Sequence, residues 1–183
     1  MCRLRYNVAA TLDGYIASAD HSTSWIIEDP TIDFNALFAE FSTFIMGRRT
    51  YETMLSFGDA NLLKGLPAGA VKVISSTKSW PGVEVIKNGP GLVERVRQLK
   101  GGEGARGKDI WFMGGAKLAG LLIQAGLLDV VEVAIMPVVI GDGVKMVELF
   151  PGQTQVQLHL ENVEKKESGI IMTRYTVGSR RPV

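Results

Sequence analysis

Between residues 43 and 122 short apolar runs alternate with stretches of helical periodicity, and that order limits the sheet the chain can build. TFIM at 43–46, AVKVIS at 70–75, VEVI at 83–86 and DIWFM at 109–113 read as strands. The segments between them supply helices. One opens at Arg48 after the run IMG, and a second, GLVERVRQLK at 91–100, carries Leu92, Val96 and Leu99 on one face. A third follows Gly114-Gly115, with Leu118, Leu121 and Leu122 inward. Parallel neighbours need a long crossover where antiparallel ones need only a tight turn, so strand–helix alternation predicts a largely parallel sheet with helices on its faces.

The flanking segments extend this α/β pattern to one domain over residues 1–183. RLRYNVAA at 3–10 reads as a first strand, and LDGYIA at 12–17 follows through the turn signal Asp13-Gly14. Asp29-Pro30 suggests an N-cap and first helical position, and FNALFAEF at 34–41 has helical spacing at Phe34, Leu37, Phe38 and Phe41. VVEVAIMPVVIG at 130–141 reads as a long strand in which Pro137 imposes a break or an edge. QVQLHLENV and IIMTRYTV, joined across Lys-Lys-Glu-Ser-Gly, predict an antiparallel hairpin at the C-terminal edge of the sheet.

Charge and composition remove several classes of function. A formal net charge of +1 lacks the basic excess of a duplex nucleic-acid binder. The apolar runs are too short to span a membrane, and MCRLRYNVAA has no signal-peptide pattern, so the expected compartment is cytoplasmic. With Cys2 the only cysteine and His21 and His159 the only histidines, neither a disulfide framework nor a metal site is expected.

Three strand ends carry anion-binding chemistry. The first is Gly47-Arg48-Arg49-Thr50, where two cations sit at a helix start whose N–H groups already favour an anion. The second is Ser75-Ser76-Thr77, three hydroxyls after AVKVI, and the third is Gly114-Gly115-Ala116, whose small residues let the backbone approach a ligand. Ligands of open parallel α/β sheets bind outside the carboxyl ends of the strands. Each feature alone reads equally as a solvated helix face, a loop or a tight turn. Together they suggest a ligand with several phosphates, and paired arginines near a ribose favour the 2′-phosphate of NADP. The G-x-G-x-x-G match at 102–107, GEGARG, precedes a strand instead of following one, the wrong order for a dinucleotide fingerprint, and reads as a flexible Gly-rich loop.

These residues resemble the dihydrofolate reductase-like fold shared with the RibD C-terminal reductase domain. IMGRRTYETM is similar to the Gly-Arg-x-Thr turn at the 2′-phosphate side of NADPH, VISST to the strand end at the adenosine part, and WFMGGAKL to the Gly-Gly turn under the pyrophosphate. AATLDGYIA at 9–17, Ser24-Trp25 and VVIGDG at 138–143 resemble the RibD type. LSFGDANLLKGLP stands where that type carries Asp-Asp-Pro-x-Leu, and Thr23-Ser24-Trp25 stands where dihydrofolate reductases have Leu-Pro-Trp.

The resemblance implies an NADPH-dependent reductase of a pteridine- or pyrimidine-type heterocycle, with 5-amino-6-(5-phosphoribosylamino)uracil reductase the RibD-type activity. The alternatives are a dihydrofolate reductase proper and a non-catalytic NADP-binding regulator. Implied cofactor residues are Ala10, Ile16, Gly47, Arg48, Arg49, Thr50, Ser75, Ser76, Thr77, Gly114, Gly115, Ala116, Lys117 and Leu118. The family places an acid in the helix before the Gly-Arg turn, here Asp33, with Asp29 and Glu28 as alternatives; Trp25 is expected to flank the substrate or the nicotinamide, with a place in the core as its alternative. An acid in a helix's first turn also complements the macrodipole, so Asp33 has a capping alternative. A homodimer is expected from the apolar sheet edge left by strand 130–141 and the hairpin, as in RibD-type relatives.

Overall fold

Strand alternation sorts the N-terminal residues between two packed faces. In β1 (Leu4–Thr11), Leu4, Tyr6 and Ala10 enter one apolar core, while Arg5 lies against the Phe41 ring on the other face. This computed structural model describes residues 2–103, 107–152 and 155–178. After β1 come β2 (Tyr15–Ala17), α1 (Phe34–Ala39), β3 (Phe41–Gly47), α2 (Arg48–Ser56), β4 (Val71–Ile74) and β5 (Glu84–Ile86). There follow α3 (Leu92–Gln98), β6 (Asp109–Phe112), α4 (Ala116–Gln124), β7 (Val130–Met136), β8 (Val144–Lys145), β9 (Leu158–Lys165) and β10 (Ile171–Val177).

Eight strands form one sheet in the order β5-β4-β3-β6-β1-β7-β10-β9. Every pair from β5 to β7 is parallel, and β10 runs antiparallel to both β7 and β9. One face packs Leu92, Val96 and Leu99 with Ala119 and Leu122 of α4 against Leu4, Tyr6, Ile110 and Phe112. The other packs Tyr51 and Met54 of α2 against Phe44, Met46 and Trp111, where Phe38 stacks on Phe44 at 5.2 Å between ring centroids. No helix among the described residues is long and apolar enough to cross a membrane.

The structure corrects several sequence expectations. The helix expected over 34–41 stops at Ala39, because Phe41 is the first residue of β3 and packs with Trp111 in the second core. Helical spacing and a buried aromatic strand start coincide there. The strand expected over 130–141 ends at Met136, one residue before Pro137, and β7 is interior between β1 and β10. The edges of the sheet are β5 and β9. Within LDGYIA, β2 pairs antiparallel with β8 in a separate two-stranded sheet, a partner the sequence did not indicate. In α4 the buried face is Ala116, Ala119, Gly120, Leu122 and Ile123, with Leu118 and Leu121 only half-buried. A Cβ on Gly120 would stand 2.0 Å from the Glu148 carbonyl oxygen, so close backbone approach, not a leucine face, sets that contact. Of the GEGARG loop, residues 104–106 lie outside the described residues, and β6 follows it, not a helix.

Candidate functional site at the carboxyl ends of the strands

Parallel pairing brings the three strand ends side by side. Gly47 is in register with Ile74, and the Gly47 amide donates to the Gly114 carbonyl at 2.9 Å. Two nine-residue helices, α2 and α4, therefore start next to one another. Gly47 and Gly115 are their N-caps, and as glycines neither offers a side-chain cap to the first-turn N–H groups. Anion affinity at such starts follows from the aligned peptide dipoles.

Glycine at this junction answers to contacts that can be measured. A Cβ on Gly47 would come within 3.2 Å of Leu118 Cδ1. Gly114 has φ 122°, and a Cβ there would meet Thr50 Oγ1 at 3.7 Å and Ile16 Cδ1 at 3.8 Å. The structure thus brings together Ile16, Gly47, Thr50, Gly114, Gly115 and Leu118. Ala116 opens α4 and is buried, while Lys117 points outward and reaches Glu148 at 4.0 Å. Ala10 lies deeper, in the core at the register of Ile135.

Arg48 pairs with Glu52 one turn on at 3.5 Å, and Lys78 approaches the same carboxylate at 2.7 Å, which holds Glu52 below the usual carboxylate range. Arg49 is exposed. Ser75 is turned inward: its Oγ accepts from the amides of Thr77 and Lys78 at 3.3 and 3.0 Å. The Ser76 hydroxyl donates to the Asn88 carbonyl at 3.1 Å. Of the hydroxyl cluster, Ser75 shapes the loop and Ser76 fastens it to the segment after β5, beside an open depression of about 520 Å³ lined by Ile86, Asn88, Gly91 and Arg95.

The acids before α2 separate clearly. Asp33 is exposed and is the N-cap of α1, its Oδ1 accepting from the Ala36 amide at 2.9 Å. Asp29 is buried and accepts from the Ser168 hydroxyl at 2.5 Å, the Thr31 hydroxyl at 2.6 Å and the Thr31 amide at 2.9 Å. Those bonds, the Ser168 one foremost, pull its pKa from 3.8 to about 2. Glu28 is exposed. Trp25 is half-buried, and its indole N–H is buried with no hydrogen-bond partner among the described residues.

Asp13 and the VVIGDG stretch, more than 120 residues apart in sequence, meet in the structure. The Asp13 carboxylate accepts from the Thr11 hydroxyl at 2.6 Å and from the amides of Ile140 and Gly141 at 3.2 and 2.8 Å. Gly143 lets β8 approach β2, since a Cβ there would sit 2.2 Å from the Ala17 carbonyl oxygen. Sequence reading missed the loop Asp20-His21-Ser22, which faces α2 across an open depression of about 480 Å³. A short polar loop carries no periodicity, so nothing in its sequence announces that it faces a helix.

Fold and site together define a class: a mostly parallel sheet with two glycine-capped helix starts side by side at its carboxyl end. The chain belongs to the RibD C-terminal domain family, which it matches over residues 3–172. It is 28% identical over 181 residues, 94% of either chain, to the uncharacterized protein YyaP of Bacillus subtilis (strain 168). Its fold is similar to that of a Shewanella sp. PV-4 protein provisionally named for riboflavin biosynthesis, with a TM-score of 0.78, 23% identity and coverage of 98% of this chain and 100% of that one. It is also similar to a Thermotoga maritima diaminohydroxyphosphoribosylaminopyrimidine deaminase/5-amino-6-(5-phosphoribosylamino)uracil reductase. The TM-score there is 0.70 at 15% identity, covering 97% of this chain and 57% of the longer one.

Proposed function

We propose that this protein is an NADPH-dependent reductase of a pteridine- or pyrimidine-type heterocycle. The observation that carries the reading is the contact of Gly47 with Gly114, which sets two helix starts without side-chain caps beside each other. Glycine at 47 and 114 supports this reading, because it keeps this crowded junction free of side chains: a Cβ would stand 3.2 Å from Leu118 Cδ1 at Gly47 and 3.7 Å from Thr50 Oγ1 at Gly114. In this reading the amides at the start of α4 face the pyrophosphate and Arg48 and Arg49 face the 2′-phosphate. Ser76 and Thr77 border the adenosine side, and Ile16 and Thr50 confine the nicotinamide end. Bound NADPH supplies the hydride; orientation, exclusion of water and the proton fall to the protein.

Reduction of a C=N bond places negative charge on nitrogen, so a proton must arrive. Asp29 is a poor source, since its carboxylate is already engaged by the Ser168 hydroxyl and by the hydroxyl and amide of Thr31. Asp33 keeps Oδ2 for this task and Glu28 is the nearest alternative in sequence. Trp25 borders the substrate, its buried indole N–H suited to an acceptor oxygen on the heterocycle. The test follows NADPH absorbance with a panel of pteridines, pyrimidines and the riboflavin precursor. Oxidation with a pyrimidine supports the RibD-type activity, and oxidation with dihydrofolate alone moves the assignment to that enzyme. The exposed capping position of Asp33 favours one second reading, a non-catalytic NADP-binding regulator, which predicts tight NADPH binding with no turnover on any of them.

A further inference from the structure

Two strands bound the sheet, and they differ in how they end it. β5 has three residues, whereas β9 has eight and offers its outer side no partner among the described residues. Shortness, charge and bulges are the devices by which an edge discourages pairing with a foreign strand. β9 carries a bulge: Asn162 is opposite Arg174 and Leu160 opposite Tyr175, so Glu161 is an extra residue. The Glu161 carboxylate is kept against the sheet by accepting from Arg174 Nε at 3.1 Å.

The bulge sets which face each β9 side chain takes. Leu158, Leu160, Val163 and Lys165 lie opposite Val177, Tyr175, Thr173 and Ile171, on the face that Val131 and Val133 share with the first core. His159, Asn162 and Glu164 lie opposite Thr176, Arg174 and Met172 on the other face, where Glu161 joins them through its bond to Arg174. This order of faces is the same from either end of the strand, with its centre between Glu161 and Asn162. A regular strand laid on this edge would match its side chains on one side of Glu161 only. A second copy of β9, running antiparallel, carries the same extra residue at the same place. No other antiparallel offset that overlaps more than three residues puts every opposed pair on a common face.

We propose that β9 pairs antiparallel with β9 of a second copy of this chain, about a two-fold axis between Glu161 and Asn162, joining two eight-stranded sheets into one. A homodimer by itself fixes neither edge nor register; the palindromic order of faces fixes both. Leu160 of each copy stands opposite Val163 of the other, so two apolar side chains that are each more than half exposed cover one another. On the opposite face His159 of each copy stands against Glu164 of the other. Lys166 of its own copy reaches Glu164 at 2.8 Å and leaves that side chain more than half exposed. Sliding the strands by one residue sets Glu161 against Glu161 in one direction and Leu160 against Glu164 in the other, so neighbouring registers oppose like charges or put a charge on apolar surface.

The test is sedimentation equilibrium over a range of concentrations on wild type, His159→Glu, Glu164→Lys and the double variant. Both positions are exposed, so the fold accommodates the substitutions. Within one copy they lie roughly 16 Å apart along an extended strand, so neither side chain can answer the other there. Across the two-fold axis they are opposed twice. His159→Glu sets carboxylate against carboxylate, and Glu164→Lys removes the acid that faces His159. The expected result is a dimer dissociation constant raised about tenfold in His159→Glu and by less in Glu164→Lys, with the double variant back within about twofold of wild type or tighter. Only pairing between copies in this register produces that rescue. A double variant as weak as its weaker parent overturns the register. Single variants that dimerise like wild type overturn the pairing, and so does a wild type that stays at the chain mass of 19.9 kDa throughout.

Discussion

Ser168 donates to the Asp29 carboxylate across 2.5 Å, although the two residues are 139 positions apart. The turn of the β9–β10 hairpin is thereby fastened to the segment that runs from Trp25 to α1. Asp29 has its pKa lowered in the folded state, so it contributes stability above its unfolded value, and that contribution disappears as pH falls through about 2. Asp29→Asn should therefore melt below wild type from neutral pH down to about pH 4, with the gap closing as pH falls toward 2. Melting curves across that range check it; a constant gap at every pH would assign the loss to packing.

Arg48 and Arg49 set the cofactor preference in the proposed reading. Charge-assisted bonds to phosphate contribute roughly 1.5–3 kcal/mol each where they are sheltered, and less for an exposed side chain such as Arg49. Replacing both by alanine should weaken NADPH binding about tenfold or more and leave NADH within about twofold. Fluorescence titration of both cofactors reads this directly. Equal wild-type affinities for NADPH and NADH would refute the assignment.

Glycines 115 and 120 make opposite predictions. Gly120→Ala forces a Cβ to 2.0 Å from the Glu148 carbonyl, with backbone on both sides, and should destabilise by about 3 kcal/mol. At Gly115 an added Cβ meets only Thr50 Oγ1, at 3.9 Å, so the protein itself has room. Gly115→Val should lose far more NADPH affinity than thermal stability. Native affinity in that variant would make the pair a turn and nothing more.

Asp33 has two candidate duties, and one pair of variants separates them. Asp33→Asn retains the cap, since asparagine caps about as well as aspartate, whereas Asp33→Ala loses roughly 1 kcal/mol. If the carboxylate also serves proton delivery, Asp33→Asn slows hydride transfer by roughly 10²–10⁴-fold with near-native melting and NADPH affinity. Full turnover in Asp33→Asn transfers the role to Glu28 or a bound water.

The β9 edge carries the expectation of a homodimer. It is eight residues long, unpaired on its outer side among the described residues, and exposes Leu160 and Val163 at 56% each. Light scattering should report about twice the chain mass of 19.9 kDa. Val163→Lys should shift the population toward monomer without lowering its helix content.

The middle of the fold was legible because periodicity and strand ends coincide there. Leu92, Val96 and Leu99 are all buried as their spacing requires, and the Gly47 and Gly114 junctions fall at successive strand ends. Sequence could not reveal that Phe41 belongs to a strand, because spacing of three or four residues fits a helix until tertiary packing claims the ring. It could not show which strand lies at the edge, since order across a sheet is decided by residues far apart. Nor could it reveal what Asp29 binds, because Ser168 reaches it only after the hairpin has docked.

Arg5 has a bearing on how the molecule is assembled. It is 2% exposed, forms two bonds to Glu132 at 2.7 and 3.0 Å, pairs with Glu40, and reaches Asp109 at 3.4 Å. Its partners on β6 and β7 lie 104 and 127 residues downstream, so the first strand synthesised is among the last whose neighbours exist. Until they arrive, β1 has no apolar slot that will accept a guanidinium. Pairing with any other strand would bury that cation without its carboxylates, at a cost of about 3–5 kcal/mol. The charge thus restricts where β1 can join the sheet, because only the gap between Asp109 and Glu132 pairs the buried guanidinium on both sides.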